Sequence, residues 1–172
     1  MEAMSLQTLV WLFIVAFVIH DLEEIIWVEP WMKRNARQVA PLLPAGIRPT
    51  FEKMSRLTSS QFAVAVLMEF IIFIPFTYMA AEKGRFFMFL AFNNLFFLHV
   101  FTHLGQSLYL KRYTPGVVTA VLVVLPYTTH LFSRLLAEKW VTWGEILLSV
   151  PVGFILAPYV LLGHEVGRRI VK

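Results

Sequence analysis

The first apolar stretch of the chain, SLQTLVWLFIVAFVIHDLEEIIWV at residues 5–28, decides the class of fold. It is long enough for a helix to cross a bilayer, which takes about 20 residues. Its second half nevertheless holds one histidine and three carboxylates within the five positions from His20 to Glu24. Each charge placed in hydrocarbon costs about 2.5–3.5 kcal/mol on insertion scales. The stretch therefore predicts a membrane helix whose polar residues have a function.

Four more apolar stretches follow the first, and together they predict an all-α, polytopic membrane helix bundle. Hydrophobic residues make up 58% of the 172-residue chain, more than the ~45–50% of ordinary soluble domains. The later connections are short, which favours one up-and-down bundle in a single membrane domain, 1–172, with a long basic loop at 29–60. The five predicted transmembrane helices cover about 5–28, 61–81, 86–110, 115–137 and 145–164.

The basic side chains are divided unevenly between the two sides of this bundle. Eleven would lie on the side that holds residues 29–60 and the C-terminal tail, and four on the other side. Because basic residues collect on the cytoplasmic side, the N-terminus is predicted outside and the C-terminus in the cytoplasm. The aromatic residues belong to the spans, so the basic face indicates the bilayer as partner and no nucleic acid.

Pro30 begins the segment that follows the first span. Proline is favoured in the first turn of a helix, and PWMKRNARQVA, residues 30–40, mixes Trp31 and Met32 with basic side chains. The pattern predicts a separate short helix that lies on the inner leaflet. The alternative is a lid over a site that opens at this face.

The polar residues of the first span share one helix face. At about 100° per residue, Glu23 and Glu24 lie within about 60° of His20, and Asp21 lies at the edge of that face. A histidine and two carboxylates at this spacing can converge on one ion. The Glu-x-x-His helices of carboxylate-bridged di-iron bundles do so with the order reversed.

The third span carries a second group of candidate ligands, in NNLFFLHVFTHLGQ at 93–106. His99 and His103 are four residues apart and share a helix face, a common metal-chelating arrangement. Glu69 is a lone carboxylate in the second span, and His164 ends the fifth. The chain has no cysteine, which excludes thiolate ligands.

The helix rise places most of these residues at one depth. At ~1.5 Å per residue, His20, Glu69 and His103 lie roughly 10–12 Å below the cytoplasmic interface. His130 lies near the outer end of the fourth span, where a hydrogen-bonded structural role is its default. Few basic side chains lie at this depth to balance the carboxylates, so a metal is favoured over a structural ion-pair network. The candidate metal ligands are His20, Glu23, Glu24, Glu69, His99, His103 and His164.

The run His20-Asp21-Leu22-Glu23-Glu24 matches the signature of the HXXEE family of small bacterial integral membrane proteins, which the chain resembles over nearly its whole length. RYTPG, residues 112–116, is similar to a Tyr-x-Pro-Gly segment of that family. The resemblance implies a multi-pass protein of the bacterial cytoplasmic (inner) membrane and suggests that the motif acts as a unit. The family has no established activity. Taken alone, YTPG indicates a turn that opens the fourth span.

These residues predict a metal-dependent membrane enzyme that acts near the cytoplasmic leaflet on a hydrophobic small molecule or lipid. Four imidazoles and three carboxylates suit two divalent ions, with iron favoured and zinc or manganese as alternatives. By analogy with other bundle sites, the favoured reaction is oxidation by a di-iron centre. Glu24 and Asp21 are the candidate acid–base residues.

Other functions stay open at this point. In a zinc-dependent lipid hydrolase, His99, His103 and His164 would hold the ion and a glutamate would activate water. A metal-ion or proton transporter would use stacked ionisable groups as a path, although the outer half offers only His130. Haem held by two histidines would leave the carboxylates without a role. The sequence leaves the substrate and the oligomeric state open.

Overall fold

In a computed structural model of the protein, which describes residues 4–171 apart from the side chains of Leu156 and Ala157, every described element is helical. The all-α prediction is therefore confirmed. A short 3-10 turn at Ala40–Leu42 follows the first helix. The α-helices are α1 (Leu6–Val39), α2 (Arg48–Met54), α3 (Ser59–Lys83), α4 (Phe87–Leu110), α5 (Val117–Ala137) and α6 (Trp143–Ile170).

Four of these helices, α3 to α6, are long and apolar enough to cross a membrane. The prediction of a polytopic helical membrane protein is confirmed to this extent. The predicted first span lies in α1, which has 34 residues and is not among the four. At ~1.5 Å per residue such a helix is about 51 Å long, well beyond the ~30 Å hydrocarbon core. The fifth span, the single-domain organisation and the inner-membrane location stay predictions.

The segment after the first predicted span differs from the prediction, because α1 passes through Pro30 without a break. The prediction of a separate interfacial helix is therefore wrong. Residues 29–60, predicted as a loop, are largely helical. A tertiary contact holds the extension of α1: the indole N–H of Trp31 donates to the backbone carbonyl of Tyr113 at 2.7 Å. The helix is therefore fixed against the connection between α4 and α5.

A second contact, at Glu29, joins α1 to the beginning of α3. The Glu29 carboxylate accepts a hydrogen bond from the backbone N–H of Ser59 at 2.6 Å and pairs with the Lys33 ammonium at 2.5 Å. The bond from Lys33 and the backbone bond from Ser59 hold the pKa of Glu29 below its usual range. The carboxylate is ionised at neutral pH, and α1 and α3 are joined at their predicted cytoplasmic ends.

The five long helices form a closed series of contacts, in the order α1, α3, α6, α4, α5 and back to α1, with a further contact between α3 and α4. Aromatic rings fill the space between them. Phe13 of α1 lies 5.2 Å from Phe73 of α3 and 5.8 Å from Phe96 of α4, measured between ring centroids. A Cβ on Gly153 of α6 would lie 2.6 Å from the backbone oxygen of Ala91, so glycine permits the close contact of α6 with α4. This arrangement turns the polar faces of α1 and α4 towards each other.

The orientation in the membrane can be tested with single cysteines, because the chain has none of its own. We expect Ala40→Cys to be protected from a membrane-impermeant maleimide added to intact cells, and Lys83→Cys to react. The reason is the excess of basic residues on the side that holds residue 40. Labelling is measured by gel shift, and a reaction at residue 40 but not at residue 83 would reverse the assignment.

Candidate metal centre

Four candidate ligands converge between α1 and α4. One ligand atom from each of His20, Glu24, His99 and His103 lies within 4.8 Å of all the others. Nε2 of His103 is 2.7 Å from Nε2 of His99 and 3.3 Å from Oε1 of Glu24. In a tetrahedral site with bonds of about 2.1 Å, ligand atoms lie about 3.4 Å apart. Small side-chain rotations would therefore place one divalent ion among these four residues, which we call the four-residue group.

The spacing along each helix explains why these residues meet. His20 and Glu24 are one turn apart on α1, as are His99 and His103 on α4. Residues four apart project from the same face of a helix. The two pairs therefore form a single group once these faces of α1 and α4 are turned towards each other.

The hydrogen bonds of His20 leave one of its ring nitrogens free for a metal. The residue is 1% exposed, and its Nε2 atom is buried without a hydrogen-bond partner in the described part of the chain. A buried polar atom without a partner costs about 1–3 kcal/mol. The other nitrogen, Nδ1, lies 3.0 Å from the Thr119 hydroxyl. An ion at the four-residue group would satisfy Nε2, so the geometry fits a metal.

Glu23, the first glutamate of the motif, has different partners. Its Oε2 atom accepts bonds from the Thr119 backbone N–H at 2.7 Å and from the Thr119 hydroxyl at 2.6 Å, while Oε1 accepts from the Tyr113 hydroxyl at 2.7 Å. Since the Thr119 hydroxyl gives its one proton to Glu23, its oxygen accepts a bond from Nδ1–H of His20. This relay assigns the imidazole proton to Nδ1 and leaves the lone pair of Nε2 for an ion.

The turn before α5 completes this arrangement. The Tyr113 hydroxyl binds Glu23, and burial, followed by this hydrogen bond, raises the pKa of Tyr113, so the phenol remains a neutral donor. Gly116 has a φ of +85°, and a Cβ there would lie 2.4 Å from Cε1 of His103 and 2.9 Å from Oε1 of Glu24. From the sequence this segment was interpreted as a turn and as similar to a family segment, without a part in the site. Its tyrosine and glycine are in fact in contact with candidate site residues.

A short π-helical stretch, Ala120–Val124, follows Thr119 in α5. Such stretches are rare and occur often at functional sites. The irregularity therefore lies immediately beside the residue that binds both Glu23 and His20.

A cavity of about 440 Å³ adjoins the four-residue group. Its walls contain most of the remaining candidate site residues together with apolar side chains from α1, α2, α3, α4 and α6. The polar lining residues are His20, Asp21, Glu24, Glu69, His99 and His164. The apolar ones are Phe17, Met54, Phe62, Phe73, Phe92, Leu95, Phe96, Val160 and Leu161.

The predicted site residues outside the four-residue group have separate positions. Asp21, Glu69 and His164 line the cavity, where the His164 ring lies 5.0 Å from that of Phe62. His130, predicted to lie away from the site, has an exposed side chain on α5 and is not a member of the group. The ligand roles of all these residues stay predictions.

Comparison with known proteins identifies the family. The family described as "Protein of unknown function with HXXEE motif" matches residues 11–131. The chain belongs to the HXXEE family. It is also similar to the uncharacterized protein YrkK of Bacillus subtilis (strain 168), with 24% identity over 162 residues that cover 92% of this chain and 94% of that protein. No solved structure matches the chain.

The resemblance drawn from the motif is therefore confirmed. The matched region of the HXXEE protein includes most of α1, all of α4 and most of α5, and so contains both the four-residue group and the Tyr113–Gly116 turn. It does not include His164 of α6. The family match thus covers the four-residue group but only part of the cavity wall.

Proposed function

We propose that this HXXEE protein is a membrane enzyme in which the four-residue group holds a divalent metal ion beside a cavity for a hydrophobic or lipid-like substrate. The observation that carries the proposal is the convergence of four ligand atoms within 4.8 Å at the wall of a cavity with a largely apolar lining. Ligand pockets of this kind combine apolar walls with a few convergent polar groups.

The donor set bears on the identity of the metal. Three imidazoles and one carboxylate without sulfur suit iron, manganese or zinc. Iron is the preferred ion, by analogy with other carboxylate-containing helix bundles. When bound, such an ion supplies redox or Lewis-acid chemistry at the cavity wall.

The protein's own residues would divide the remaining tasks. The relay through Thr119 orients His20, and the phenylalanine rings of the cavity hold the apolar part of the substrate and exclude water. Asp21 lines the cavity beside His20 and would take or give a proton there. Oxidation of the substrate is the preferred reaction.

Hydrolysis by a zinc centre is the second candidate, and one observation favours it. Oδ2 of Asp21 is buried at the cavity wall without a hydrogen-bond partner among residues 4–171. A carboxylate in this state is available to accept a proton from a water molecule that attacks the substrate. The ion present in purified protein distinguishes the two reactions, because zinc is redox-inert.

The number of ions follows from the same geometry. The four-residue group accounts for one ion. A second ion, expected from the number of candidate ligands in the sequence, would require Glu69 or His164, which line the cavity outside this group. We therefore propose one ion in the four-residue group. The number of metal ions per chain tests whether a second ion binds.

Metal analysis of detergent-purified protein tests the proposal. We expect about one ion per chain in the unmutated protein and in His130→Ala, and loss of most of the metal in His20→Ala, His99→Ala and His103→Ala. The exposed His130 is the matched control because its imidazole lies outside the group. Elemental analysis and an optical spectrum give the number and kind of ions. Unmutated protein without metal after loading, or equal loss in His130→Ala, would contradict the site.

A further inference from the structure

We propose that the cavity beside the four-residue group binds a hydrophobic cation, that is, an organic ammonium compound with a large apolar part. The inference rests on the proposed function in taking this cavity as the substrate site and in counting the charge of the bound ion. It names the chemical class of the substrate.

The first argument is that two carboxylates of the cavity wall have no ion-pair partner within residues 4–171. Asp21 is 7% exposed, and its Oδ2 atom is buried without a hydrogen-bond partner within residues 4–171. None of the ion pairs in the described part of the chain includes Asp21 or Glu69. Among the described residues that line the cavity there is no lysine or arginine. Within residues 4–171 the wall thus presents acidic groups to an apolar space with no lysine or arginine opposite.

The second argument is the balance of charge at the centre. A divalent ion brings two positive charges. They are offset by Glu24 in the group and by Glu23, which is held beside it by three hydrogen-bond donors. Asp21 and Glu69 then remain without compensation. Burying a carboxylate without a partner is costly. A positively charged group on the ligand would supply the missing partner.

The third argument is the aromatic lining. Five phenylalanine rings, from α1, α3 and α4, face the same space as the two carboxylates; they are Phe17, Phe62, Phe73, Phe92 and Phe96. An organic cation is attracted to the negative face of such rings, and its alkyl or aryl groups gain from leaving water. A neutral hydrocarbon would leave the carboxylates unpaired, and an anionic lipid would be repelled by them. The wall therefore matches a hydrophobic cation best.

The test compares two probes of equal size and opposite charge, tetraphenylphosphonium and tetraphenylborate. The full-length protein is placed in nanodiscs of zwitterionic lipid, and binding is measured by equilibrium dialysis against empty nanodiscs. We expect saturable binding of one phosphonium per chain and no saturable binding of the borate. Glu69→Gln should weaken phosphonium binding by about tenfold or more. Glu82→Gln on the same helix should not, because Glu82 is not among the lining residues.

The possible results separate this inference from the proposed function. The metal count of Glu69→Gln should equal that of the unmutated protein. His103→Ala, which should lose the metal and whose side chain is not among the lining residues, should still bind phosphonium. Absent phosphonium binding, equal borate binding or an unchanged affinity in Glu69→Gln would overturn the inference while the metal site stands. Loss of a second ion in Glu69→Gln would also overturn it, because Glu69 would then be a metal ligand. Phosphonium binding by a protein that takes up no metal would support the cavity and refute the metal centre.

Discussion

Replacement of Glu24 by glutamine should remove nearly all bound metal, whereas the same replacement at Glu23 should weaken metal binding by about 10–100-fold. Both glutamates belong to the HXXEE motif, and sequence alone makes both candidate ligands. In the structure Oε1 of Glu24 lies 3.3 Å from Nε2 of His103 within the four-residue group. A neutral amide at this position removes a charged ligand from the ion itself.

Glutamine at Glu23 acts one step further from the metal. A side-chain amide has one acceptor oxygen, so it cannot take all three of the bonds that Thr119 and Tyr113 now donate. The Thr119 hydroxyl is then free to donate to Nδ1 of His20. That change favours the imidazole form with its proton on Nε2, which cannot bind an ion. Metal should therefore still bind at high concentration, but with lower affinity.

Metal titration with a competing chelator measures both effects, with Glu82→Gln as the control for a lost carboxylate elsewhere. Thr119→Val should reproduce the loss of affinity in Glu23→Gln, and Thr119→Ser, which keeps the hydroxyl, should stay near the unmutated protein. Complete loss of metal in Glu23→Gln would indicate that Glu23 is itself a metal ligand. Unchanged metal binding in Glu24→Gln would show that Glu24 is not a metal ligand.

The sequence predicted the pairs within each helix well, because the spacing within a helix is nearly invariant. His20 with Glu24 and His99 with His103 are each four residues apart, and no tertiary information is needed to place each pair on one face. Depth estimates brought Glu69 to the same level as His20, and both line one cavity. Rise per residue gives a level in the membrane but no direction around the helix. The position of Glu69 outside the four-residue group could not be predicted for this reason.

The continuation of α1 through Pro30 and the hydrogen-bond partners of Glu23 were not predicted from the sequence. Both depend on the contact between α1 and the turn before α5. Proline is more frequent in the first turn of a helix than in its interior, so Pro30 was expected to begin a new helix. The bond from Trp31 to Tyr113 instead holds the extension of α1 in place. The same turn supplies the partners of Glu23. A pattern along one helix contains no information on a loop 90 residues away in the chain.

Gly116→Ala should disrupt the four-residue group more than any other glycine substitution in the turns. Two penalties combine at this position. Its φ of +85° is one that side chains other than glycine rarely adopt, at a cost of about 1–2 kcal/mol. The added Cβ would also lie 2.4 Å from Cε1 of His103, a distance that no real contact allows. The imidazole must move away, and with it one of the four candidate ligands.

A matched variant separates the cost of the backbone conformation from the cost of the clash with His103. Gly84 ends α3 with a φ of +64°, and a Cβ there would meet nothing within 4 Å. Gly84→Ala should therefore lower the melting temperature through backbone strain alone and keep the metal content of the unmutated protein. Gly116→Ala should lower the melting temperature and also lose most of the metal, measured after loading with the ion found in the purified protein. If Gly116→Ala retained full metal content with only the stability loss of Gly84→Ala, His103 would not be required where the structure places it. The glycine of the Tyr-x-Pro-Gly segment would then serve the turn and not the metal centre.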